Sequence, residues 1–111
     1  MAKEHFGRNA ESMHMVYVLR SARDQKMYMG YTANLKKRLQ AHNNGEVEST
    51  RHRRPLTLIF CEAFLSKGDA LRRESYFKTN EGKKMLKRIL RHTLNTVDNE
   101  NRYSESDERQ Y

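Results

Sequence analysis

MVYVLRSARDQKMYMGYT, residues 15–32, is the stretch that decides the fold. Met15-Val16-Tyr17-Val18-Leu19 is a short continuous apolar run rich in β-formers, which reads as a central strand. Ser21 to Gln25 is a polar turn. Lys26-Met27-Tyr28-Met29-Gly30-Tyr31 then returns as the second strand of a hairpin. Tyr17 and Tyr28 are eleven positions apart, one on each arm. Gly30 is expected to end its strand without a side chain, which would let a backbone or a ligand approach closely. A plain strand-end glycine is the alternative.

Downstream of the hairpin, Thr32 or Asn34 serves as N-cap for a helix that continues to about Asn43, with Gly45 placed to terminate it. Leu35, Leu39 and His42 follow i, i+4, i+7 spacing and define its inward stripe. Asn44 to Arg54 is a polar loop. Pro55, the only proline, closes that loop at the entrance to a third strand, Leu56 to Phe64. Ser66-Lys67-Gly68-Asp69 resembles a capping box with Asp in the acidic place. The helix it opens carries Ala70, Glu74 and Phe77 on one face. Glu81-Gly82 marks a break, and a last helix runs from Lys83 to about His92. That helix turns Met85, Leu86, Ile89 and Leu90 to the core and Lys83, Lys84, Lys87, Arg88 and Arg91 outward. The expected fold is α+β: a small three-stranded sheet flanked by helices, in the order β-β-α-β-α-α. Residues 1–13 are expected to be a flexible N-terminal segment, 14–94 the folded domain, and 95–111 a disordered acidic tail.

The chain of 111 residues fits one domain, and its mean hydropathy of -1.05 implies a small core under a charged surface. The net charge of +8 is uneven. Residues 98–111 hold five acidic and two basic groups, so residues 1–97 carry +11. Such a domain has the electrostatic footprint of a phosphate-backbone binder, although small basic proteins of other kinds share it. One cysteine, Cys61, excludes an intrachain disulfide and a cysteine-based zinc cluster, and fits a reducing cytoplasm. His5, His14, His52 and His92 show no metal-ligand spacing. No signal-peptide core precedes His14, and the longest apolar run is far short of the ~18 residues that span a bilayer. The expectation is a soluble, cytoplasmic protein with no membrane partner.

Glu74 is the residue that asks most for an explanation, because carboxylates are rarely buried unless paired or bound to a metal. It falls between Ala70 and Phe77 on the inward stripe. A salt bridge to Arg72, Arg73 or Lys78 would explain it. So would a role as ligand of Mg²⁺, which often takes only one or two protein carboxylates and completes its shell with water and phosphate oxygens. Arg38 and His42 share a helix face one turn apart. A guanidinium can hold a phosphate and neutralise charge developing in phosphoryl transfer, and a histidine beside it can shuttle a proton. A solvated basic run and a packed helix-end histidine are the plain alternatives. Tyr17, Tyr28 and Tyr31 are packing residues on one reading, and on another phenols made competent as bases by a nearby cation. Arg51, Arg53 and Arg54 are candidate phosphate contacts, as is the basic outer face of the last helix. Such contacts are salt-dependent and do not read sequence.

These residues, in this order, resemble the GIY-YIG endonuclease superfamily, specifically its small stand-alone members, and are similar to the nuclease domain of the bacterial excision-repair incision subunit. The motif pair appears as Val16-Tyr17-Val18 and Tyr28-Met29-Gly30. The match continues through Tyr31 to Leu39, His42-Asn43, Ser49-Thr50, Arg53-Arg54-Pro55, Ala70 to Glu74, and Tyr76 to Thr79. The resemblance implies hydrolysis of DNA phosphodiester bonds with one Mg²⁺ or Mn²⁺ ion, on branched or damaged DNA among other structures. By position Glu74 is the metal ligand, and Arg38 stabilises the scissile phosphate and leaving group. Tyr28, or else Tyr17, deprotonates or orients the attacking water. His42 stands where the family often has a His or Tyr near that phosphate. Some relatives carry Lys where this chain has Tyr31, and a family asparagine of the later helical region corresponds by order to Asn80. Larger relatives attach targeting domains, so a protein partner could supply targeting here. A nucleic-acid-binding protein that keeps the fold but does not cut is the rival reading, and a basic module docking an acidic protein is a third.

Overall fold

The computed structural model describes residues 13–97. Strand β1 (His14–Ser21) lies between β2 (Met27–Thr32) and β3 (Leu56–Phe64) in a three-stranded antiparallel sheet of order β2-β1-β3. The central place follows from composition: Val16, Tyr17, Val18 and Leu19 are all buried, as only a strand covered on both faces allows. The hairpin closes with Gln25 in the left-handed region (φ 60°), and Ser21 Oγ accepts from the backbone N–H groups of Arg23 and Asp24. β2 runs on to Thr32, so Gly30 lies within the strand rather than at its end. The register sets it opposite Tyr17.

Helix α1 (Leu35–Asn43) is capped by Asn34, whose side chain accepts from the Lys37 N–H. Thr32, the other candidate, instead accepts from the Asn34 N–H and braces the cap. The helix ends in a Schellman turn: Gly45, at φ 77°, donates to the His42 carbonyl and Glu46 to that of Ala41. The loop that follows includes a short 3₁₀ turn, Arg51–Arg53, and buries Val47 and Thr50. Together, α1 and this loop lie over the sheet face that carries Tyr17 and Tyr28.

The opposite face, with Val16, Val18 and Met29, packs against α2 (Lys67–Phe77) and α3 (Asn80–Ile89). Ser66 caps α2 by accepting from the Asp69 N–H, as the sequence suggests. Ala70, Phe77, Leu86 and Leu90 close this core, and each fully buried large side chain contributes roughly 1.5–3 kcal/mol over an exposed one. Two expectations need correction. The break between the last helices is at Lys78-Thr79, not Glu81-Gly82, because Thr79 caps α3 by accepting from the Gly82 N–H. α3 therefore starts at Asn80, and its buried line is Gly82, Leu86 and Leu90, while Met85 and Ile89 are exposed. After Leu90 the backbone is helical again through 91–97, beyond the boundary expected at 94. The expectations for residues 1–12 and 98–111 lie outside the described residues.

Gly82 is needed for close approach. A Cβ there would run into the backbone of Tyr76 and Phe77 at the end of α2. Gly82→Ala is expected to lower stability by about 1–3 kcal/mol in urea denaturation, whereas the exposed neighbour change Lys83→Ala stays within about 0.5 kcal/mol. Equal stability of the two variants would show that the α2–α3 corner yields freely.

Candidate active site

Tyr17 is fully buried, and its ring occupies the space that a side chain on Gly30 would fill. That clearance brings its phenol to 2.8 Å from His42 Nε2. His42 Nδ1 is in turn 2.7 Å from Thr50 Oγ1, and both residues are buried. Arg38, one turn before His42, donates from Nε to the Tyr17 oxygen at 3.4 Å. The Tyr28 ring stands edge-on to His42 with centroids 5.3 Å apart, and tilted to Tyr17 at 6.3 Å. Tyr17, Tyr28, Arg38 and His42, spread over 26 positions of sequence, thus form one cluster on the α1 side of the sheet.

Its electrostatics follow from burial. Desolvation lowers the His42 pKa below its usual 6.5, and the Arg38 charge lowers it further, so the imidazole is neutral at pH 7. Burial raises the Tyr17 pKa, against the opposing hydrogen bond from Arg38, so the phenol keeps its proton. The guanidinium on its oxygen polarises the phenol O–H. The favoured arrangement therefore has Tyr17 donating to His42 Nε2 and His42 Nδ1–H donating to Thr50. The bond to Tyr17 raises the Arg38 pKa, and Arg38 stays cationic.

Glu74 lies on α2 between buried Ala70 and Phe77, with its side chain 18% exposed. Arg72 is taken by Asp69 at 2.7 Å. Arg73 is turned to Glu62 at 2.8 and 3.2 Å and lies over the Phe77 ring. Among the described residues Glu74 has one ionic partner, Lys78, at a loose 3.7 Å. Its negative charge reaches Tyr17, where it adds a minor upward push to the phenol pKa. Among the described residues no three His, Cys, Asp or Glu side chains converge on a metal position. A single lightly paired carboxylate does not suit a metal that needs an all-protein cage. It suits Mg²⁺ or Mn²⁺, which accepts one carboxylate and keeps water and phosphate oxygens.

The other candidates lie elsewhere. Tyr31 is on the opposite face of β2, hydrogen-bonded to His14 Nδ1 at 2.7 Å. Asn80 is exposed in the first turn of α3. Arg53 is occupied by Asp24 (2.7 Å) and the Lys26 carbonyl, and holds the Asp24 carboxyl at about 2. Arg54 donates to the carbonyls of Arg51 and Asn43, whereas Arg51, exposed, donates to the neighbouring His52 ring. Thr50 was not singled out by sequence reasoning, although a buried histidine needs a partner on each ring nitrogen. Among the described residues no helix is long and apolar enough to cross a membrane, and Cys61 is a free, exposed thiol.

The His42 shift has a defined sign. Its folded pKa lies below the unfolded 6.5, so the stability it confers is full above 6.5 and is lost as pH falls toward the folded value. Denaturation between about pH 7.5 and 5 is expected to show that decline, and His42→Gln to flatten it; a dependence unchanged in the variant would place the titration elsewhere. Asp24 adds its own loss only below 3.8. At pH 7, Thr50→Val strands the His42 Nδ1–H and is expected to cost about 1–3 kcal/mol.

Residues 13–88 match the GIY-YIG catalytic domain. A UPF0213 protein of Staphylococcus haemolyticus is 40% identical over 77 residues, covering 68% of this chain and 93% of that one. One from Streptococcus agalactiae is 41% identical over 78 residues, covering 69% and 88%. The solution NMR structure of a UPF0213 protein from Bacillus halodurans aligns at a TM-score of 0.46 with 34% identity, covering 69% of this chain and 84% of that one. The chain belongs to the GIY-YIG catalytic domain family.

Proposed function

We propose that the protein is a divalent-metal-dependent endonuclease that hydrolyses DNA phosphodiester bonds, with Glu74 as the protein ligand of Mg²⁺ or Mn²⁺. The observation that carries this reading is that Tyr17 draws Arg38 and His42 together beside Tyr28 in one polar cluster, while Glu74, half-buried on α2, has only a loose ion pair to Lys78. When bound, the cation supplies Lewis-acid polarisation of a phosphoryl oxygen.

The chain's own residues divide the remaining work. Tyr17, buried and protonated, is a strut: it fixes Arg38 and His42 relative to each other. Arg38 faces the phosphate and neutralises charge that builds on its oxygens as the new water–phosphorus bond forms and the bond to the leaving strand breaks. Tyr28 is half-buried where Tyr17 is closed off, so it is the phenol able to accept a hydrogen bond from the attacking water. His42 stays neutral and accepts the Tyr17 O–H, which holds the phenol in place. Arg51 positions the DNA backbone through salt-sensitive contacts. Branched or damaged DNA is the structure class to test first, with targeting by a protein partner as the alternative source of selectivity. A protein that only bound DNA would have no need of a carboxylate on the packed side of α2.

Cleavage of labelled duplex, flap and four-way-junction DNA with Mg²⁺, Mn²⁺ or EDTA tests the proposal. Cutting is expected with either metal and not with EDTA. Arg38→Ala is expected to slow it by about 10²–10³-fold, and Glu74→Ala to abolish it with the fold retained. A Glu74→Ala protein that cut like the parent would refute the metal assignment. Binding of all these DNAs without any cutting would favour the non-cutting rival.

A further inference from the structure

β2 is an edge strand, and its residues alternate between two faces. Tyr28 and Gly30 belong to the reactive cluster, whereas Met27 and Met29 point the other way, toward α3. On that second side Met27, Met29 and Leu94 line a hollow of about 440 Å³ together with Lys26, Lys83 and Lys87. Lys83 and Lys87 are one helical turn apart, which places their ammonium groups on the same side. All three lysines are exposed, and among the described residues none has an ion-pair partner. Among the described residues no carboxylate lines the hollow. Three like charges gathered round an apolar floor repel one another, and an anionic partner would relieve that repulsion. Methionine side chains are flexible and polarisable, so such a floor adapts to flat groups of different outline.

We propose that this hollow receives one unpaired DNA strand as it leaves the reactive cluster, with phosphates on Lys26, Lys83 and Lys87 and a base against Met27, Met29 and Leu94. This rests on the reading of the cluster as a DNA-cutting site. The two sites lie on opposite faces of one strand, so their occupant must turn sharply round the open edge of β2. Duplex DNA is stiff on that scale, with a persistence length of roughly 150 base pairs, and keeps its bases inside the stack. An unpaired strand bends freely and offers a base face to an apolar surface. The hollow therefore selects for DNA with a single-stranded arm.

Binding by the full chain carrying Glu74→Ala, which separates binding from cutting, tests the idea by fluorescence anisotropy. The probes are a blunt duplex and the same duplex with a single-stranded overhang. Adding Lys83→Gln with Lys87→Gln is expected to weaken overhang binding about tenfold near 0.1 M salt. It is also expected to flatten the slope of log K against log salt by about 1.4, at roughly 0.7 per single-strand contact. Blunt-duplex affinity is expected to stay within about twofold. Equal losses on both probes would make these lysines general duplex contacts and overturn the proposal, as would no loss on either. Absence of any DNA binding before the lysines are changed would instead count against the nuclease reading itself.

Discussion

The packing of the Tyr17 ring against the bare backbone of Gly30 is the contact on which the rest of the site depends. With a side chain at 30 the ring would have to move, and its hydroxyl with it. Because the ring is admitted, the phenol arrives within hydrogen-bonding distance of a histidine on α1 and accepts from an arginine one turn earlier. That single anchor ties the helix to the central strand, orients Arg38, and closes the α1 side of the sheet around a buried polar chain. Thr50 ends the chain from the loop beyond α1, so even that loop is drawn into the arrangement.

The chain is neutral where it is buried and charged where it opens. Tyr17 and His42 each pass the low-dielectric interior without charge, one pushed up and the other down in pKa, which is the inexpensive way to bury titratable groups. Arg38 keeps its charge, and both it and Glu74 are less buried than Tyr17 and His42, where phosphate and metal can reach them. Glu62 and Asp24, by contrast, are satisfied by Arg73 and Arg53 across strands and loops, and these pairs hold structure. Among the described residues Glu74 has only Lys78 as ionic partner, at a loose 3.7 Å, and this marks it out physically.

Much of this was legible in the sequence because it is local. The apolar run 15–19, the polar turn, and the capping residues Ser66 and Gly45 act through neighbours a few positions away. Arg38 and His42 were legible as a pair because helical spacing alone sets them side by side. What failed was decided by tertiary contact. Glu81-Gly82 looks like a helix break, yet Gly82 is a glycine so that α3 can begin hard against the end of α2, and that contact sets the phase that exposes Met85 and Ile89. Arg53 looks like part of a phosphate-binding run, but Asp24, 29 positions earlier, holds it. Thr50 stands in the family match without a role, because only the folded chain brings it beneath His42.

The most direct test of the central claim is ¹H–¹⁵N NMR of the full chain during titration with Mn²⁺, comparing the parent with Glu74→Gln. Paramagnetic broadening acts only near the ion. Selective loss of signals around Glu74, Tyr28 and Arg38 in the parent, absent in Glu74→Gln, is the predicted result and would place one divalent cation at the cluster. Broadening centred elsewhere, or the same pattern in both proteins, would contradict the assignment of Glu74 as the metal ligand.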